Sequence, residues 1–321
     1  MYRSRNPLTR RELLKLGAMA GAIGVIAPPA FATSKPAAAS GQPILRAIPG
    51  TGEKLPVVGL GTNNYSPTTP EERAARREVL QHMPRLGGKV IDTAPAYRQS
   101  EATLGELLAE LGNRKQFFLA TKVTAPGGDA ARGAQMITES FQKLRTDQFD
   151  LMQVHNLDGV DQLMPALREG KSARRFRYVG ITTSSTDAHA RMMEYMRKHP
   201  LDFIQVDYSI DNRAAADQVL PLAQEKGMGE LINMPFGGRR DGNLLRKLGE
   251  KELPEWAAEI GANSWAQALL KYVLSHPAVT VAIPGTTRLS HLEDNQAAGR
   301  GELPDAALRK RMEEWWDANG G

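Results

Sequence analysis

The chain has no cysteine. This excludes a disulfide framework, thiolate metal sites, iron–sulfur clusters and a cysteine nucleophile. It also lacks any run of the ~20 apolar residues needed to span a membrane as a helix. Its clearest apolar stretch, Leu16–Ala27, would be only ~18 Å long as a helix. No G-x-G-x-x-G opens a helix after the first strand-like run, which argues against a Rossmann domain. His82, His189, His199, His276 and His291 show no metal-ligand spacing such as H-E-x-x-H, so no metal is assigned. No G-x-S-x-G elbow supports a hydrolase. Beyond its first residues the chain has almost no net charge. The total is +5, but residues 1–32 hold five of the 41 basic residues and one of the 36 acidic ones. The remainder is therefore close to neutral, and nucleic-acid binding loses its main support. What is present is an ordinary globular composition, 41% hydrophobic and 24% charged over 321 residues, ample for a packed core.

The start of the chain reads as an address. Thr9-Arg10-Arg11-Glu12-Leu13-Leu14-Lys15 is a twin-arginine pattern, followed by the short apolar stretch and by Ala30-Phe31-Ala32. A basic region, an apolar region and an A-x-A site make a bacterial export signal over residues 1–32. The expected location is the periplasm, with no stable membrane insertion after cleavage. Proteins exported this way travel folded, often with a cofactor in place. Residues 33–43 form a Ser/Pro/Ala-rich linker.

From Ile44 to the end, short apolar runs alternate with longer helical patterns. Ile44–Ile48 and Leu55–Val58 flank Pro49-Gly50-Thr51-Gly52 as a hairpin. Strand-like runs follow at Val57–Gly61, Val90–Asp92, Phe117–Val123, Leu151–His155, Tyr178–Thr182, Phe203–Val206, Glu230–Asn233 and Val279–Ile283. Most are continuous rather than alternating, as strands buried on both faces should be. Helical patterns lie between them, including Pro70–Leu86, Ser100–Leu111, Gly133–Leu144, Ala188–Lys198, Ala215–Lys226 and Trp256–Ser275. Eight such units predict an α/β fold, a single (β/α)8 TIM barrel over residues 44–321 with an N-terminal hairpin.

Chemistry in such a barrel sits at the C-terminal ends of the strands. Asp92 ends the second barrel strand, with Tyr97 just beyond it, Lys122 lies near the end of the third, and His155 ends the fourth. A phenol is a poor proton donor at neutral pH unless its phenolate is stabilised. A neighbouring ammonium does that, and a carboxylate keeps the ammonium charged and oriented. A histidine can place a carbonyl oxygen. The set suits adding a proton to that oxygen while a cofactor delivers hydride, since the chain has no redox group of its own.

The blocks Val57-Val58-Gly59-Leu60-Gly61-Thr62, Ile91-Asp92-Thr93-Ala94-Pro95-Ala96-Tyr97, Thr121-Lys122, Phe149–His155 and Tyr178-Val179-Gly180-Ile181 closely resemble the aldo/keto reductases. So does Ile283-Pro284-Gly285-Thr286-Thr287-Arg288 with His291–Asn295, and the likeness runs from about Ile44 to Ala298. The resemblance implies a tetrad of Asp92, Tyr97, Lys122 and His155, with Tyr97 as general acid. It implies that Gln205 helps bind the nicotinamide amide and that Gly61, Thr62, Asp92, Pro235 and Gly285 contribute to the cofactor site. Thr286 and Arg288 would lie near the adenosine 2′-phosphate, and Asp294 and Asn295 near the adenine. An arginine fork suits a dianionic phosphate, which favours NADPH over NADH.

Three departures bear on the cofactor. Thr182-Thr183 stands where the family often has Ser-Asn, Gly285 where a lysine is common, and Asn233 where an aromatic ring stacks on nicotinamide. Stacking is then lost unless Phe236 or Tyr208 substitutes. The loop Gly237–Asn243 is a candidate cover for the pyrophosphate, and Trp256 and Trp315-Trp316 are expected to pack terminal helices. The expected function is reduction of an aldehyde or ketone with NADPH. The alternative is an exported nucleotide-binding barrel acting as a sensor or partner with little turnover. Expected partners are a small carbonyl substrate and, during export, the twin-arginine translocase. No nucleic acid is expected, and the chain is read as a monomer.

Overall fold

A strand buried on both faces needs apolar side chains throughout, and the apolar runs of this chain become such strands. The computed structural model describes residues 41–238 and 242–320. The expected leader at 1–32 and most of the linker lie outside the described residues. No helix among the described residues is long and apolar enough to cross a membrane.

A hairpin of β1 (Leu45–Ala47) and β2 (Lys54–Pro56) comes first, antiparallel, with Leu45 opposite Pro56. Then follow β3 (Leu60–Gly61), α1 (Pro70–His82), β4 (Val90–Asp92), α2 (Ser100–Leu111), β5 (Phe118–Val123) and α3 (Ala130–Leu144). Next come β6 (Phe149–Val154), α4 (Val160–Ser172), β7 (Phe176–Thr182), α5 (His189–Lys198), β8 (Phe203–Asp207), α6 (Val219–Glu225) and β9 (Gly229–Asn233). The chain ends with α7 (Leu244–Leu248), α8 (Trp256–Glu259), α9 (Trp265–Leu274), β10 (Val281–Ala282), α10 (Leu289–Ala298) and α11 (Ala306–Asn319).

Strands β3 to β10 form one eight-stranded sheet in chain order, every neighbour parallel. The two edges of the sheet meet. Parallel bridges join Val58 to Ala282 and Gly61 to Gly285. The Gly59 amide donates to the Ala282 carbonyl at 2.8 Å, and the Ala282 amide donates to Val57 at 2.9 Å. Inward-facing Val90, Phe118, Leu151, Tyr178, Phe203, Leu231 and Val281 form an inner core with Ile48 and Leu55 of the hairpin. A larger apolar layer packs strands against helices.

Local chemistry explains the helix boundaries. Thr69 caps α1 by accepting from the Glu72 amide, with Pro70 in the first turn, and Asp129 caps α3 through the Arg132 amide. The single helix expected over Trp256–Ser275 is two. Gly261 (φ 61°) breaks it, and the Ser264 side chain starts α9 by accepting from the Gln267 amide. The fourth barrel strand ends at Val154 rather than His155, because the chain turns there through Asn156 and Leu157 at φ 53° and 58°. The expected Val279–Ile283 strand narrows to two residues plus the closing bridges. Trp256, Trp265 and Trp315 form a ring cluster between terminal helices, with Trp265 and Trp315 centroids 4.9 Å apart.

Candidate active site

Alternation along β5 points Phe118, Ala120 and Lys122 to the interior, and Lys122 is only 1% exposed. Its ammonium finds three acceptors. Nζ donates to Asp92 Oδ2 at 2.6 Å, to the Thr93 carbonyl at 2.9 Å and to the Tyr97 hydroxyl at 3.4 Å. Burial works against the charge on Lys122, but Asp92 and Tyr97 outweigh it and raise its pKa above the ordinary lysine value. The lysine therefore stays an ammonium through the neutral range. Asp92 sits at the end of β4, where its carbonyl accepts from both the amide (3.1 Å) and the hydroxyl (2.8 Å) of Thr62.

Tyr97 is held by its backbone. Its amide donates to Ala94 at 3.0 Å, and its carbonyl accepts from the Ser66 hydroxyl at 3.1 Å. The His155 ring meets the Tyr97 ring edge-on, centroids 5.9 Å apart at 88°. Arg98, Asn156 and Met234 follow Tyr97, His155 and Asn233 directly, and all three have positive φ, 55°, 53° and 50°. Left-handed backbone at non-glycine residues is strained, and here it turns the chain away just after a side chain is delivered to the site.

The tetrad expected from the sequence is thus brought together, at the end of the sheet predicted for it. Asp92, Tyr97 and His155 border a cleft of about 620 Å3, as do Gly61, Thr62, Gln205, Pro235 and Gly285, and Lys122 lies behind them against the adjoining hollow. Thr286, Arg288, Asp294 and Asn295 are not among the residues bordering this cleft. The Thr286 hydroxyl donates to the Arg288 carbonyl at 3.3 Å, and Arg288 is exposed at the start of α10. The Asp294 carboxylate accepts from Ser264 Oγ at 2.8 Å and from Gln267 Nε2 at 2.7 Å, while Asn295 is buried.

Asn233 borders the cleft. Its Nδ2 donates to the Thr183 carbonyl at 3.0 Å, and its Oδ1 is buried without a partner. Of the two substitutes, Phe236 borders the cleft. Tyr208 is fully buried, its hydroxyl accepting from Arg309 at 2.7 Å. In the loop expected to cover the pyrophosphate, Gly237 and Asn243 pair by an antiparallel bridge, and residues 239–241 lie outside the described residues.

Several site residues escaped the sequence. Asn63, Asn64, Asn156 and Ser184 border the cleft from loops, where no periodicity marks them. A side hollow of about 230 Å3 adjoins His155, lined by Arg132, Met136, Glu139 and Lys143. Gln153, fully buried, donates to Asp92 Oδ1 at 3.3 Å. Its signal was present: it stands two residues after inward-facing Leu151 on β6, hence on the same face.

Residues 57–313 match the model of the aldo/keto reductase family. The chain belongs to that family. This aldo/keto reductase is 31% identical over 196 residues to norsolorinic acid reductase B of Aspergillus parasiticus, covering 54% of this chain and 50% of that protein. It thus spans half the length of that relative. It is 27% identical over 290 residues to L-galactose dehydrogenase of Arabidopsis thaliana, covering 79% and 87%. Among solved structures, an aldo-keto reductase from Klebsiella pneumoniae in complex with NADPH shares the fold at a TM-score of 0.69 and 22% identity, over 88% of this chain and 96% of that one.

Proposed function

We propose that this aldo/keto reductase is a closed (β/α)8 barrel that reduces small aldehydes or ketones to alcohols with NADPH, exported by the twin-arginine route to the periplasm. The observation that carries the reading is the buried Lys122 ammonium, held by Asp92 at 2.6 Å within 3.4 Å of the Tyr97 hydroxyl. The bridges between the sheet's two edges support a closed barrel.

The residues present fit the cofactor. Gly61, Thr62, Pro235 and Gly285 border the cleft, and the unpartnered Asn233 oxygen suits an amide donor. Arg288, exposed, suits the 2′-phosphate that distinguishes NADPH from NADH. Thr286, Asp294 and Asn295 would hold the adenosine end. The NADPH bound in the Klebsiella pneumoniae reductase supports the same choice. When bound, NADPH supplies the hydride for the carbonyl carbon.

The chain's own residues handle the proton. Tyr97 gives its hydroxyl proton to the carbonyl oxygen as the oxygen gains electrons. The Lys122 ammonium stabilises the negative charge left on the phenolic oxygen, in a site where water screens little. Asp92 keeps that ammonium charged and aimed. His155, edge-on to the Tyr97 ring, places the substrate oxygen, and solvent restores the tyrosine proton.

Protein recovered from the periplasm should begin at Thr33 and oxidise NADPH in the presence of an activated aldehyde between about pH 5 and 8. Tyr97→Phe should cut kcat by roughly 10²–10⁴-fold at unchanged Tm. Absence of NADPH consumption by the unaltered protein would sink the reading. Nucleotide held tightly but not oxidised by aldehyde would move it to a nucleotide-bound sensor with little turnover.

A further inference from the structure

The two carboxylate oxygens of Asp92 have different partners. Oδ2 accepts from Lys122, whereas Oδ1 accepts from two carboxamides, Gln205 Nε2 at 2.8 Å and Gln153 Nε2 at 3.3 Å. Gln205 Oε1 accepts in turn from the Thr182 hydroxyl at 2.9 Å, so both polar ends of Gln205 are engaged inside the sheet. Asp92, Gln153, Thr182 and Gln205 are each at most 2% exposed. Their amide orientations follow from chemistry, since an amide oxygen turned towards Oδ1 would set two acceptors against each other. Gln153 faces Asp92 while its own Oε1 is buried and unpartnered. A buried orphan acceptor is destabilising, so a hydrocarbon side chain would serve better if filling space were the only role.

We propose that Gln153 and Gln205 are positioning residues, which pin the Asp92 carboxylate from β6 and β8 so that its other oxygen stays on Lys122. Gln205, which also borders the cleft, reaches Asp92 with its amide nitrogen while its oxygen is held by Thr182. The proposal rests on the reading that Tyr97 gives the proton. The charged and titratable groups around the carboxylate are Lys122 on β5, Tyr97 after β4, His155 after β6 and, behind β5, Glu101 on α2. β7 and β8 contribute only the neutral Thr182 and Gln205. Without the amide donors, more of the carboxylate's charge bears on the ammonium, and less of the ammonium's field reaches the Tyr97 oxygen.

Gln153→Met keeps the volume and removes the donor; Gln153→Glu sets a second carboxylate against the first. Gln153→Met should lower kcat about tenfold, with KM for carbonyl and NADPH little changed and the basic limb of the pH profile moved. Gln153→Glu should lose more. Gln205→Met should lower kcat measured at saturating NADPH and move the basic limb in the same direction. A Gln153→Met enzyme with unaltered kcat and pH profile overturns the proposal. A Gln205→Met enzyme that loses NADPH affinity at unchanged kcat overturns the assignment of Gln205. A readout without substrate separates this inference from the functional one. The ultraviolet tyrosinate titration of Tyr97, taken as the difference from Tyr97→Phe, should move to higher pH in Gln153→Met. If it moves while the unaltered protein reduces no carbonyl, the positioning role stands and the reductase reading fails. If it does not move, the positioning role falls.

Discussion

A buried ammonium is unfavourable unless its acceptors are fixed, and Lys122 has three. The lysine and its partners were legible because each sits at a countable position on or just past an apolar strand. Asn156 and Ser184 were not, since loop residues carry no period to read. Asn233 is the departure from the family pattern that bears most directly on the cleft. Its amide is tied to Thr183 and one oxygen is left buried, so the cleft lacks a ring there. Asn233→Leu keeps the volume and removes the acceptor that would meet the cofactor's amide, a hydrogen bond worth about 0.5–1.5 kcal/mol. NADPH should then bind several-fold more weakly, as measured by fluorescence quenching; unchanged binding would show that this oxygen does not meet the cofactor.

Among the elements, the strands were easier to read than the helices. A short apolar run marks a strand even where its bounds shift, as with Phe118–Val123 expected at Phe117–Val123 and Phe149–Val154 expected at Leu151–His155, whereas the break between α8 and α9 depends on Gly261 adopting φ 61° and on one serine cap. Helix packing was illegible for a different reason: it depends on close approach, not on pattern. At Gly105, on α2, a Cβ would lie 2.0 Å from the Lys143 carbonyl oxygen and 2.8 Å from Leu144 Cα. Both are backbone atoms of α3 and cannot rotate aside. Gly105→Ala should therefore force α2 and α3 apart and cost about 1–3 kcal/mol, visible as a lower Tm in thermal unfolding. A Tm equal to that of the unaltered protein would mean the helices have slack the packing does not suggest.

For the whole molecule, two buried groups far from the cleft tilt stability with pH in opposite directions. Glu230, at the start of β9, is 2% exposed and accepts from the Thr280 hydroxyl at 3.0 Å. Burial pushes its pKa up to about 8, against the pull of Thr280, its own backbone amide and Arg46. The folded protein keeps this proton where the unfolded chain, near 4.5, has lost it, so stability falls as pH rises between those values. His276 is held down to about 4 by burial and by Arg309 and Arg46, so the unfolded chain takes up its proton first and stability falls as pH drops below 6.5. The two slopes oppose each other in mild acid, and above 6.5 Glu230 outweighs His276 until Lys271, held down to about 8 by burial, begins to lose its proton. Glu230→Gln should flatten the decline in Tm between about pH 6.5 and 8, leaving the variant several degrees more stable at the upper end. An equal decline in both proteins would place the ionisation elsewhere.

Closure of the sheet has a consequence in time. Val58 and Gly61 find their partners only at Ala282 and Gly285, and the Ile44 amide donates to the carbonyl of Gly299. During synthesis the first barrel strand must wait, one side unpaired, until almost all of the remaining chain has emerged. Contacts of such long sequence separation slow folding and leave an open edge exposed meanwhile. A nascent chain halted before residue 281 should therefore bind holdase chaperones, and release should coincide with the arrival of the last strand.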